Sequence, residues 1–98
     1  MEIIENWDGR TLTLGLTGRL DTSTAPELEV ALTKNLSRAG KLIFDFEKLE
    51  YLSSAGLRVL LFAQRAMNDK GSMIIRKPNE LVAEVFHITG FDQALTIE

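Results

Sequence analysis

Between Thr11 and Thr17, leucine occupies every even position and threonine or glycine every odd one, the period of a β-strand with one face on a core. A chain carrying such a strand must cover its leucine face with other elements. Upstream, Glu2 to Trp7 reads as a first strand, and Asp8-Gly9 is a strong short-range hairpin signal joining the two. The chain therefore opens on an antiparallel pair. Downstream the alternation ends at Leu20-Asp21-Thr22-Ser23, and Thr24-Ala25-Pro26-Glu27 joins a capping-box pattern to a proline in the first helical turn. A helix follows, with Leu28, Ala31, Leu32 and Leu36 at helical spacing and Gly40 as its expected left-handed stop.

Lys41 to Phe46 contains the apolar run Leu42-Ile43-Phe44, which suits a central strand buried on both faces. Leu57 to Asp69 is too long for a strand and rich in helix formers, and Lys70-Gly71 ends it. Ser72 to Arg76 reads as another strand. Asn79 then caps a helix carrying Leu81, Val82, Val85 and Phe86, Gly90 stops it, and Leu95-Thr96-Ile97 forms a last short strand. Strands alternating with helices require crossovers, and right-handed crossovers within one sheet predict an α/β fold. Its form is a small mixed, mainly parallel sheet with an N-terminal hairpin and crossover helices. The chain has 98 residues and no linker, so residues 1–98 are expected to form a single domain.

Composition narrows the function. A 45% apolar and 26% charged chain lies in the range of ordinary globular domains. Eleven Lys and Arg against fourteen Asp and Glu leave a net charge of −3, with no basic field to gather phosphates or anionic lipid. Neither nucleic acid nor direct membrane insertion is expected. The start Met1-Glu2-Ile3-Ile4 lacks the basic and apolar regions of a leader, which predicts a cytoplasmic location. The absence of cysteine excludes thiol nucleophiles and thiolate metal sites. Ser54-Ala55-Gly56 is not the tail of a nucleophile elbow, because Leu52 stands where the leading glycine belongs. The single histidine, His87, falls near the C-terminal end of the third predicted helix, where a surface imidazole beside the helix dipole is the ordinary reading. No His pair or tight carboxylate cluster occurs at metal-ligand spacing, so the chain is expected to be no enzyme and to need no metal or cofactor.

What remains is a binding surface, and small α/β domains present theirs where strands run out at their carboxyl ends. Two junctions are notable, Gly18-Arg19-Leu20-Asp21-Thr22-Ser23 and Leu49 to Leu57. In the second, Ser53 or Ser54 is expected to cap the following helix, placing a hydroxyl beside unpaired N–H groups at the positive end of the macrodipole. Spacing alone favours a cap and nothing more for Ser54. Gly56 in the first turn implies a close approach to the backbone, either by a partner or by the sheet beneath the helix.

The run from Asp45 through Ser53-Ser54-Ala55-Gly56-Leu57 to Leu61, with Gly18-Arg19-Leu20-Asp21 upstream, resembles the STAS domains of bacterial anti-sigma factor antagonists over the whole chain. In that family a serine at the start of this helix is phosphorylated by an anti-sigma factor that is also a serine kinase, and a serine phosphatase reverses it. The unphosphorylated antagonist binds the anti-sigma factor. Aligning Gly56-Leu57 with the Gly-Leu of the family motif Asp-Ser-[Ser/Thr]-Gly-Leu implies that Ser54 is the phosphoacceptor. Ser53 then replaces the Asp and is a competing acceptor, and Ala55 replaces the second hydroxyl residue. Asp21 matches the acidic position of the family element Gly-x-Leu-Asp, which lies near the phosphosite and the partner surface, and Thr22 and Ser23 beside it are counted with that surface; its own surroundings favour a loop carboxylate making an Asx-turn or cap before the helix at Thr24. The resemblance leaves a second reading, a non-enzymatic STAS scaffold subunit of a transport or lipid-trafficking complex in which Ser54 is only a cap.

A helical wheel at about 100° per residue adds a docking face. Val59, Leu60, Ala63, Ala66 and Met67 form the expected core side, with Arg58, Gln64, Arg65, Asn68 and Asp69 opposite. Leu57 and Leu61 fall among the polar residues beside Ser54. They are expected either to dock a partner or, if a neighbouring element covers them, to join the core.

Overall fold

The computed structural model describes residues Met1–Glu98. In it the even positions of the alternating strand, Leu12, Leu14, Leu16 and Leu20, are buried, while Thr11, Thr13 and Thr17 stay half exposed on the other face. That strand is β2 (Thr11–Leu20), and it pairs antiparallel with β1 (Glu2–Asp8). Asp8 remains in the ladder opposite Thr11, so the turn residues are Gly9 and Arg10 rather than Asp8 and Gly9. Gly9 at φ +61° supplies the positive dihedral that a type II′ turn needs at its first central position, and Arg10 needs none.

On its other side β2 pairs in parallel with β3 (Lys41–Leu52), which pairs in parallel with β4 (Ser72–Arg76), in the order β1-β2-β3-β4. The expected mixed, mainly parallel sheet is therefore present. β3 runs past the predicted Phe46 to Leu52, so Leu49-Glu50-Tyr51-Leu52 are strand rather than junction. Its alternation is broken by two register shifts against β2, where β3 carries one extra residue between Asp45 and Lys48 and another between Leu49 and Tyr51.

The helices α1 (Ala25–Asn35), α2 (Ser54–Asn68) and α3 (Glu80–Thr89) bury their apolar sides against the leucine face of β2 and the matching residues of β3 and β4 in one continuous core. Phe44, Phe46 and Phe86 form its aromatic centre, with Phe46 and Phe86 stacked at 6.4 Å. The sheet face bearing Thr11, Thr13, Gly15 and Thr17 carries no helix. Asn79 caps α3 by accepting from the Val82 N–H at 2.8 Å, and Gly90 at φ +76° closes it.

Three local expectations fail. The Thr24-Glu27 capping box does not form, because the Thr24 hydroxyl donates to the Arg19 carbonyl at 2.8 Å and accepts from the Asp21 N–H at 2.9 Å. Gly40 does not close α1, which ends at Asn35 and passes into a short 3₁₀ turn, Leu36–Arg38. Instead the Gly40 N–H donates to the Arg10 carbonyl at 2.8 Å, tying the start of β3 to the hairpin. The predicted last strand is reduced to one parallel bridge, Ile97 with Ile75.

Where β3 and β4 begin, Gly71 lies against Gly40, and an added Cβ there would sit 1.9 Å from the Gly40 carbonyl oxygen. Backbone cannot move aside as a side chain can. Gly71→Ala is therefore expected to cost about 1–3 kcal/mol of stability in urea unfolding, the usual range for overpacking.

Candidate functional site

The two junctions meet because parallel pairing of β2 and β3 runs to the last residues, Leu20 with Leu52, and the Ser53 N–H then donates to the Leu20 carbonyl at 2.9 Å. This sets the Asp21–Thr24 loop beside the start of α2, at the carboxyl edge of the parallel strands.

Asp21 organises its own loop. Its Oδ1 accepts from the Ser23 hydroxyl at 2.8 Å, the Ser23 N–H at 3.0 Å and the Thr24 N–H at 3.2 Å. The Ser23 hydroxyl, with the backbone donors behind it, holds the carboxyl below the usual aspartate value of 3.8, against a smaller opposing effect of desolvation. Arg19 approaches Oδ2 only to 3.7 Å and lies over the Tyr51 ring at 4.1 Å. Thr22 and Ser23 are exposed.

At the second junction the choice between serines resolves. Ser53, extended at φ −98° and ψ 174°, is the N-cap of α2, and its hydroxyl oxygen accepts from the Gly56 N–H at 3.3 Å. Ser54 is the first helical residue and is exposed, outside the capping interaction. The reading of Ser54 as only a cap therefore loses its basis. Serine and aspartate serve equally well at such a capping position.

Gly56 and Leu57 do not belong to an accessible surface. Gly56 is buried, and a Cβ on it would lie 2.7 Å from Leu20 Cγ and 2.8 Å from Leu52 Cδ1, so its missing side chain lets α2 settle on the ends of β2 and β3. Leu57 is 3% exposed and part of the core, which corrects its assignment as a docking residue. On the wheel it flanks the buried arc, and one flank residue is readily covered. Leu61 and Ala55 are half buried and pack on the core, while Arg58 and Arg65 are exposed as expected. Phe62, 47% exposed between the two arginines, was assigned to neither face, although its wheel position beside Arg58 marks it as outward. The accessible stripe of α2 is therefore Ser54, Arg58, Phe62 and Arg65, with Leu61 at its margin.

A sheet covered on one face, with two short polar junctions at its carboxyl edge, defines a small α/β domain of the STAS type. The chain belongs to the STAS domain family: the family described as "Mlab, STAS domain" matches residues 3–97. It is 35% identical over 78 residues to BtrV of Bordetella bronchiseptica, a protein named for an anti-sigma factor antagonist role, covering 78% of this chain and 67% of that one. Among solved structures, an anti-sigma factor antagonist from Mycobacterium paratuberculosis superposes with a TM-score of 0.90 at 21% identity, over 98% of this chain and 83% of that one. The antagonist SpoIIAA in its unphosphorylated form gives 0.86 at 20% identity, over 99% and 88% of the two chains. Phosphorylated SpoIIAA from Bacillus gives 0.78 at 19% identity, over 99% and 91%. At these identities the superpositions establish the fold. No helix is long and apolar enough to cross a membrane.

The depressed Asp21 carboxyl has a consequence for pH. A folded value below the unfolded one stabilises the protein fully above the unfolded value and loses that contribution as pH falls through the folded value. The thermal midpoint of the parent should therefore exceed that of Asp21→Asn at neutral pH, and the gap should narrow as pH drops through and below 3.8. A pH series of thermal melts on both proteins checks this.

Proposed function

We propose that this chain is a regulatory binding module, an anti-sigma factor antagonist that docks on an anti-sigma factor serine kinase and is switched off by phosphorylation at Ser54. A serine phosphatase resets it. The observation that carries the reading is the division of labour at the start of α2, where Ser53 holds the cap and the exposed Ser54 is left outside it. The docking surface combines Asp21, Thr22 and Ser23 with Ser53, Ala55, Arg58, Leu61, Phe62 and Arg65.

The electrostatics suit a local switch. A phosphoryl group adds about −1.5 to −2 charges and three strong acceptors. At a helix N-terminus the free N–H groups and dipole favour it by about 0.3–1 kcal/mol, so the fold accommodates the dianion where it forms. A partner seated on Ser54 would instead have to desolvate that charge, and the complex comes apart at the interface without a change of fold. Ser53 is the weaker acceptor because its hydroxyl is half buried and engaged with the Gly56 N–H.

Incubation with ATP and cell lysate, followed by mass spectrometry, should place phosphate on Ser54. Ser54→Ala should abolish it while keeping the fold and partner binding, whereas phosphate moving to Ser53 in that variant would sink the assignment. Ser54→Asp should weaken the partner with little change in thermal midpoint. A chain that takes no phosphate and is captured with a membrane complex would support the scaffold reading instead.

The docking stripe has its own test. Phe62→Ala should reduce partner affinity with a stability change within about 0.5 kcal/mol. Leu57→Ala, from the core, should cost about 2–5 kcal/mol of stability. Isothermal titration and urea unfolding on both variants separate surface from core.

A further inference from the structure

β1 and β4 are the two edges of the sheet, and they are protected in different ways. β1 carries Glu2, Glu5 and Asp8. A second β1 laid antiparallel about its centre would set Glu5 against Glu5 and Glu2 against Asp8, so charge defends that edge. β4 reads Ser72-Met73-Ile74-Ile75-Arg76 and carries one charge. A second β4 laid antiparallel about Ile74 would set Ile74 against Ile74, Met73 against Ile75 and Arg76 against Ser72, with no like charges opposed.

What covers the β4 edge is the chain's own C-terminal segment. The Ile75 N–H donates to the Thr96 carbonyl at 2.9 Å, the Glu98 N–H donates to the Ile75 carbonyl at 2.8 Å, and the Lys77 N–H donates to the Glu98 carbonyl at 3.2 Å. Side chains add one exposed ion pair, Arg76 with Glu98 at 3.5 Å, of the kind that contributes little. Thr96 and Glu98 are exposed, and only Ile97 between them packs on the core. Few bonds and little buried surface put this segment at the low-stability end of the molecule.

We propose that Thr96–Glu98 is a displaceable strap over the β4 edge, and that when it lifts a second copy of this chain pairs its β4 there, antiparallel about Ile74. The self-complementary β4 sequence selects a second copy as the occupant, and the symmetry closes at a dimer instead of propagating. The backbone groups of Ile75 that now hold the strap become the first rungs of the intermolecular ladder.

The chain has no cysteine, so Ile74→Cys introduces a single thiol, and pairing about residue 74 brings two such thiols face to face. Deletion of residues 96–98 should raise the mass in light scattering about twofold from the 11.0 kDa of the chain, and with Ile74→Cys it should yield a disulfide-linked dimer under mild oxidation. The full-length chain with Ile74→Cys should stay monomeric. Glu98→Pro combined with Ile74→Cys removes one strap hydrogen bond and the ion pair while keeping Ile97, and it should cross-link several-fold faster than the full-length Ile74→Cys protein. If the deletion loses its helical circular dichroism, the Glu98→Pro chain decides alone. Folded variants that remain monomeric and do not cross-link, or cross-linking at the same rate with the strap intact, would overturn the proposal.

Discussion

The carboxyl edge depends on the parallel pairing of β2 with β3 being carried to its final residues. Had the ladder ended at Phe46, where apolar alternation fades, the Asp21 loop and the start of α2 would have no fixed relation. The two register shifts allow the strands to stay together through Glu47 to Tyr51, and the Ser53 N–H bond to Leu20 fastens the last rung. The Ser53 cap then sets the direction of α2, and the missing Gly56 side chain lets the helix rest on Leu20 and Leu52. These contacts are backbone hydrogen bonds, a half-buried cap and buried packing, and together they fix the relation of the two junctions.

Much of this was legible in the residues. The Leu–Thr alternation gave β2 and its buried face, and the Asn79 and Gly90 signals bounded α3, because each rests on interactions within a few residues. Long-range pairing was less legible. β3 was cut short because bulges break its period, and Gly40 looked like a helix stop although it serves a hydrogen bond to Arg10, thirty positions earlier. Thr24 had the sequence of a capping box, but its hydroxyl is drawn to Arg19 and Asp21 across the loop. At the site itself the exposed positions Ser54, Arg58 and Arg65 could be read from the wheel. Leu57 could not, because a residue at the flank of a buried arc takes its burial from neighbours that the wheel omits.

The division between Ser53 and Ser54 gives the loss of the family Asp a physical meaning. On the proposed reading the residue before Ser54 caps the helix, and serine does this as well as aspartate while adding no charge beside Ser54. The nearby carboxylate in this chain is Asp21, whose Oδ1 is committed to three donors in its own loop. The negative charge at the edge is therefore fixed in the loop before α1, and a phosphoryl group on Ser54 would be the large added charge on the α2 side.

The claim that the switch is local is tested most directly by amide NMR of the protein carrying phosphoserine installed at position 54 during translation. The account predicts shift changes confined to Asp21–Thr24 and the first turn of α2, together with loss of affinity for the partner. Shift changes spreading through the core strands, or undiminished partner affinity with the phosphate in place, would contradict it.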